Sequence, residues 1–172
     1  MIGGRLQRTF DRFARWLVER AMKRRPDFII GGAANPYMRR WWMLPRNPLF
    51  NIYVHEILRP DDDRALHDHP WPWASYLVAG AYTEVTLDRI NETSRQGADK
   101  LWRTWWPTGS FRMRGPWFAH RLEPAEWTPV WTVFITGPKL RAWGFLCPKG
   151  WVHWKKFTDP GDTGKIGRGC GD

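Results

Sequence analysis

The sequence predicts an all-β body, a sandwich or small barrel, preceded by one amphipathic helix. Three observations carry this. From Leu49 onward, short runs rich in Trp, Val, Tyr and Thr recur between turn residues, the spacing of many short strands. Fourteen tryptophans and an aromatic share of 16% suit a pleated, half-buried surface. Residues 5–25, by contrast, place Leu6, Phe10, Phe13, Leu17 and Ala21 at the helical period, as a narrow apolar stripe.

The helix comes first. Arginines fill its other sides, and Pro26 closes it, because the residue before a proline resists the helical region. Such a stripe fits a helix packed across the body or onto a partner subunit. Its basic face also fits phosphates, on nucleic acid or on an anionic lipid surface. Gly31 through Pro36 reads as a loop, and Tyr37 to Pro48, rich in Trp, Arg and Pro, shows no period. Strands are expected at 49–58, 73–80, 81–88, 100–106, 110–114, 118–123, 129–136, 141–147 and 151–157. Asp61-Asp62-Asp63 and Asn91 to Asp99 read as loops, while Gly109, Gly115-Pro116 and Gly137-Pro138 mark turns. From Asp159 the glycine-rich segment reads as a loose tail. The expected organisation is a basic helix and lead-in over 1–48, a β-body over 49–158 and a flexible tail over 159–172.

The formal charge is +10, and six of those charges fall in residues 1–25, where eight Lys and Arg face only Asp11 and Glu19. The body is mildly basic, so net charge says little about it. Cys147 and Cys170 lie far apart and show neither a disulfide nor a zinc spacing, which suggests a cytoplasmic chain. No apolar run follows the basic start, so no secretory signal is expected, and no window is apolar for long enough to span a membrane.

The chemical signal is Leu66-His67-Asp68-His69-Pro70-Trp71, read with His120. Residues i and i+2 of a strand share a face, so His67 and His69 would project together. Neutral imidazoles converging on one volume are common ligands for divalent first-row metals, and a third from a neighbouring strand leaves positions open. Asp68 should point away, orienting a loop or holding a ring N–H. His55, beside Glu56, could enter the same cavity, and His153 reads as a rim residue. Arg112 and Arg114 share a face, Arg121 should turn away from His120, and Arg141 opens a strand. An inward arginine needs an anion, so Arg112 or Arg141 is the candidate clamp for a carboxylate or phosphate. Tyr82 and Tyr76 are candidate acid–base or oxygen-orienting groups. Trp71, Trp73, Trp106, Trp117 and Trp131 suit core and rim packing, or stacking on a ring or sugar. Cys147 reads as a small buried side chain.

These residues resemble the two motifs of the cupin superfamily, a double-stranded β-helix or jelly-roll barrel. His67 and His69 match the histidine pair of the first motif and Gly80 its closing glycine, while Trp73 stands at the glutamate and Asp61 at the opening glycine. In the second motif Gly109 and His120 match. Pro116 is one place late, Trp117 replaces a glycine and Pro124 replaces the asparagine. The likeness covers about residues 50–157 and keeps three histidines without the carboxylate ligand. The chain is also similar to phage and bacterial cupin-like proteins that carry H-D-H-P-W and a later T-G-P-K-x-R-x-W-G-F.

In its ligand set a three-histidine cupin resembles the thiol and diketone-cleaving dioxygenases, where such a site binds Fe(II) and leaves places for substrate and O2. The resemblance implies a mononuclear metal enzyme, with Fe(II) ahead of Zn, Mn or Ni. His67, His69 and His120 would hold the metal and an arginine would fix a small anionic or aromatic substrate. Two other readings stay open. One is a metal-dependent isomerase or hydrolase. The other is a non-catalytic barrel that binds a sugar, nucleotide or peptide and whose basic helix docks a partner or nucleic acid. A homodimer also fits the aromatic strands and the striped helix.

Overall fold

A computed structural model describes residues 3–60, 65–87, 101–125 and 129–171, with side chains in the first helix from Gln7 onward. The loops expected at Asp61–Asp63 and Asn91–Asp99 lie outside the described residues. The chain opens with helix α1 (Gly3–Met22). Its buried stripe is Ala14, Leu17, Val18 and Ala21, and Phe13 is half exposed. The contact face is thus rotated from the one the Leu6–Phe10–Phe13 spacing suggests.

Twelve strands follow among the described residues: β1 (Phe28–Ile30), β2 (Met38–Trp42), β3 (Asn51–Ile57), β4 (Leu66–His67), β5 (Trp73–Ala79), β6 (Ala81–Leu87), β7 (Leu101–Pro107), β8 (Phe111–Arg114), β9 (His120–Pro124), β10 (Val130–Thr136), β11 (Gly144–Cys147) and β12 (Gly150–His153). A single turn of helix, α2 (Trp154–Phe157), comes next. The strands form two antiparallel six-stranded sheets, in the orders β1-β2-β3-β10-β5-β8 and β12-β11-β4-β9-β6-β7. Among the described residues neither edge of one sheet pairs with the other, so the jelly-roll is an open barrel.

Side-chain alternation builds the two layers. On the first sheet Trp41, Val54, Tyr76, Val78 and Val133 face outward and take the stripe of α1. The Tyr76 hydroxyl donates to the Asp11 carboxylate, and Phe10 meets the Tyr76 ring edge-on at 4.9 Å. Burying a leucine such as Leu17 there contributes about 2 kcal/mol. The helix therefore lies across the body, the first of the two placements its stripe allows. The opposite faces of β3, β5 and β10 present Tyr53, His55, Trp73, Thr132 and Phe134 to the space between the sheets.

Four expectations need correction. Residues 28–30 and 38–42, taken as lead-in, are strands of the first sheet. Their alternation was hidden because Arg40 sits on the inner face. The strand expected at 151–157 bends into α2 after His153, whose ring Nδ1 accepts from Lys155 N at 3.2 Å. The segment from Asp159 is held. Asp159 N donates to Lys165 O at 3.0 Å, and Gly167 N and Gly169 N both donate to Phe157 O at 3.0 Å. A Cβ on Gly167 would press on the Thr158 backbone at 2.7 Å, so its glycine is a packing requirement rather than a sign of looseness. Finally, Cys147 and Cys170 form a disulfide that pins this segment to β11. Their separation of 23 residues looked unfavourable only because the return of the chain was not foreseen. The bridge also removes the support that unpaired cysteines gave to a cytoplasmic location, since disulfides persist in oxidising compartments. No helix among the described residues is long and apolar enough to cross a membrane.

Candidate metal centre

His67 and His120 are direct partners across the β4–β9 ladder, so their side chains rise from the same face of the second sheet. β4 ends at His67, and His69 lies just beyond it, its N–H donating to Pro116 O at 3.3 Å. The pair is therefore not a regular two-apart strand pair, yet both rings face His120. One ring nitrogen from each of the three lies within 4.8 Å of the other two. His69 Nε2 and His120 Nε2 stand 3.0 Å apart. Two nitrogens each ~2.1 Å from one ion, at a right angle, would be ~3.0 Å apart. The spacing fits a facial set of ligands with open positions opposite.

Asp68, between the two histidines, points away from them and fixes the chain that carries them. Its carboxylate accepts from Gly144 N (2.8 Å), Trp151 Nε1 (2.9 Å) and Arg141 Nη1 (2.6 Å). Asp68 N donates in turn to Gly144 O at 3.0 Å. Gly144 has no room for a side chain, because a Cβ would meet the Trp151 ring at 2.8 Å. Arg141 also donates to Pro116 O at 3.0 Å. It is thus committed to the loops beneath the site and does not line the cavity, so the anion-clamp expectation for Arg141 is not met.

Sequence reasoning missed Glu84. It lies on the inner face of β6, 2% exposed. Its Oε1 is 2.6 Å from His120 Nδ1 and 2.8 Å from Arg112 Nη1, and its Oε2 accepts from Trp106 Nε1 at 3.1 Å. A carboxylate on Nδ1 holds that proton in place and leaves the Nε2 lone pair directed at the other two rings. The only sequence cue was an acid on the inward register of a strand, one residue from each of Thr83 and Val85. Burial pushes the Glu84 carboxyl up to about 7, against the pull of the Arg114 cation and the Trp106 N–H. Burial pushes the Arg112 guanidinium down to about 9. Burial first, then neighbouring positive charge, holds His55, His69 and His120 well below the usual imidazole value, which keeps them neutral.

Arg112 points inward as expected, but Glu84 already meets its charge, and the rings of Tyr82 and Trp106 lie 4.8 and 5.0 Å from its Cζ. The Tyr82 ring is fully buried beside the cavity, and its hydroxyl has no hydrogen-bond partner among the described residues. His55 does enter the cavity, accepting at Nε2 from Arg40 Nε at 2.9 Å. Trp71 and Trp73 line the same space, whereas Trp117 is exposed and Trp131 packs toward α1. The cavity has a volume of about 460 Å³ and extends to Thr163–Ile166 of the tied-down C-terminal segment.

No protein-family model matches this chain, and no curated protein matches it in sequence. Solved structures do. The Fe(II) form of HppE, crystallised with substrate, superposes with a TM-score of 0.50 at 15% identity over 66% of this chain and 57% of that one. A cupin superfamily protein from Desulfitobacterium hafniense gives 0.43 at 10% identity over 59% and 78%. Oxalate oxidase gives 0.46 at 11% identity over 66% and 58%. The chain thus spans a little over half the length of HppE. Two facing antiparallel sheets with three histidines between them place this chain in the cupin fold.

Proposed function

We propose that this chain is a mononuclear metal-dependent cupin enzyme, and that the metal is Fe(II) used for dioxygen chemistry on a small anionic or aromatic molecule. The observation that carries the reading is the convergence of His67, His69 and His120, with His120 held by Glu84. The donor set fits a divalent first-row ion. Three neutral ligands leave the ion its full charge, which favours an anionic substrate. HppE, which shares the fold, was crystallised with Fe(II) and also with Co(II), each with substrate, which supports a divalent first-row ion here and is compatible with iron.

When bound, the ion would polarise substrate and oxygen at its open positions. The chain's own residues do the rest. Glu84 holds the proton on His120 Nδ1, and Arg112 holds Glu84 in place. Trp71, Trp73 and Phe134 line the cavity and exclude water. The unpartnered Tyr82 hydroxyl is the candidate proton donor within the cavity. The test is oxygen uptake by Fe(II)-loaded protein with a panel of small carboxylates and phenols. Uptake that depends on one compound class and vanishes in His69→Ala supports the proposal. Stoichiometric metal without uptake would leave the isomerase or hydrolase reading in its place.

A further inference from the structure

Of the three arginines that line the cavity, Arg112 is met by Glu84 and Arg46 is exposed. This leaves Arg40, a part-buried guanidinium that no carboxylate meets among the described residues and neither of the two that the sequence singled out. Arg40 sits on the inner face of β2, directly across the ladder from His55. It lines the same cavity as the three histidines. Its Nε donates to His55 Nε2 at 2.9 Å, its Nη2 lies 3.9 Å from Met38 Sδ, and its Cζ stands 5.3 Å from the Tyr53 ring. These contacts fix the plane of the guanidinium without neutralising it. A cation partly withdrawn from water without an anion is costly, so the position invites one.

We propose that Arg40 is the anion-binding residue of this cavity and that its ligand is a small monocarboxylate with an apolar body. With Nε committed to His55, the Nη groups remain to grip a carboxylate. One unmatched cation suits one negative charge. Arg112 is matched by Glu84, and Arg46 lies at the exposed rim, stacked 5.2 Å from Trp42. The apolar body would meet Tyr53, Trp71 and Phe134, which line the same cavity and pack in one cluster with the Tyr53 ring that Arg40 covers. The Trp71 Nε1–H, buried and without a hydrogen-bond partner among the described residues, offers a second donor. The Phe134 ring touches both His55 (5.1 Å between centroids) and His69 (5.8 Å), so the anion site and the histidine cluster are one ring's width apart. The placement of the ligand's far end against the metal rests on the proposed function; the carboxylate contact does not.

The test is calorimetric titration of the metal-free full chain with benzoate, phenylacetate and hexanoate, each against its neutral amide. At least one acid should bind at least tenfold more tightly than its amide. Arg40→Gln should remove that preference, Arg40→Lys should retain part of it, and substitution of the exposed Lys139 (Lys139→Gln) should leave it unchanged. Co(II) uptake by Arg40→Gln should match wild type, which separates loss of the anion site from loss of the fold. Should Arg40→Gln fail to fold, the acid–amide comparison on wild type and on Arg40→Lys still decides. Equal binding of acid and amide, no saturable binding of any of the three acids to wild type, or an undiminished preference in a folded Arg40→Gln overturns the proposal. A preserved acid preference in a protein that takes up no metal would sink the metal reading and leave Arg40 standing.

Discussion

Replacing Glu84 by Gln changes one charge and no shape, so it isolates what that carboxylate does. Oε1 serves His120 and Arg112, and Oε2 serves Trp106. An amide can present its oxygen to only one side. If it keeps His120, the Trp106 N–H faces an NH2 group, which costs about 1–3 kcal/mol. Arg112 also loses its counter-charge in a pair whose side chains are 3% and 2% exposed. Breaking such a buried pair on one side costs about 3–5 kcal/mol, and the two effects overlap. We expect a loss of about 3–5 kcal/mol by urea unfolding of the metal-free protein. Metal affinity, measured by chelator competition, should fall roughly 10–100-fold because the His120 ring loses its anchor. The double variant Glu84→Gln/Arg112→Met should recover much of the stability and none of the affinity. Stability within about 0.5 kcal/mol of wild type, together with affinity within twofold, would refute the assignment of Glu84 as the residue that holds His120.

The remaining predictions concern pH, the loop clamp and the disulfide. His55, His69 and His120 resist protonation in the fold, so the unfolded chain gains protons that the folded one does not as pH falls below about 6.5. Glu84 opposes this, since at about 7 it holds a proton between pH 4.5 and 7 that the unfolded chain has lost. Three protons against one approach a difference of about two, so the metal-free protein should lose stability with a slope that grows from about 1 kcal/mol per pH unit at 6.5 to about 2–3 near 5.5, and a flat urea midpoint over that range would contradict it. Asp68→Ala strands three donors, at Gly144, Trp151 and Arg141, and should cost about 3 kcal/mol while weakening metal binding through the displaced His67 and His69; unchanged affinity would show that the clamp does not position them. Cys170→Ser should lower stability by about 3 kcal/mol for a loop of this length, and titration of unfolded wild type should find no free thiol without reductant. Two free thiols in the oxidised protein would contradict the bridge.

The strands of the body were legible because Trp, Val and Tyr alternate with polar residues from Asn51 to Thr136, and the histidines were legible because their spacing survives outside any context. What stayed hidden shares one cause: a polar residue on an inner face breaks the alternation that marks the strand. Arg40 concealed β2 and its own role together. Glu84 was passed over because the cupin motif seeks its carboxylate near position 73, whereas here the acid arrives from β6 and reaches the far nitrogen of His120. Arg112 and Arg141 were read as free cations because their partners, Glu84 and Asp68, lie 28 and 73 residues away in sequence. The C-terminal glycines looked like slack, but Gly167 is needed where the chain passes against Thr158.

The proposed chemistry requires three imidazoles to share one ion. Equilibrium dialysis against Co(II) or Fe(II), read by elemental analysis, tests this most directly. About one ion per chain is expected in wild type and in Lys139→Gln, a substitution of an exposed residue, and less than a tenth of that in His120→Ala at the same free metal. No bound ion in wild type, or full occupancy in His120→Ala, would contradict it.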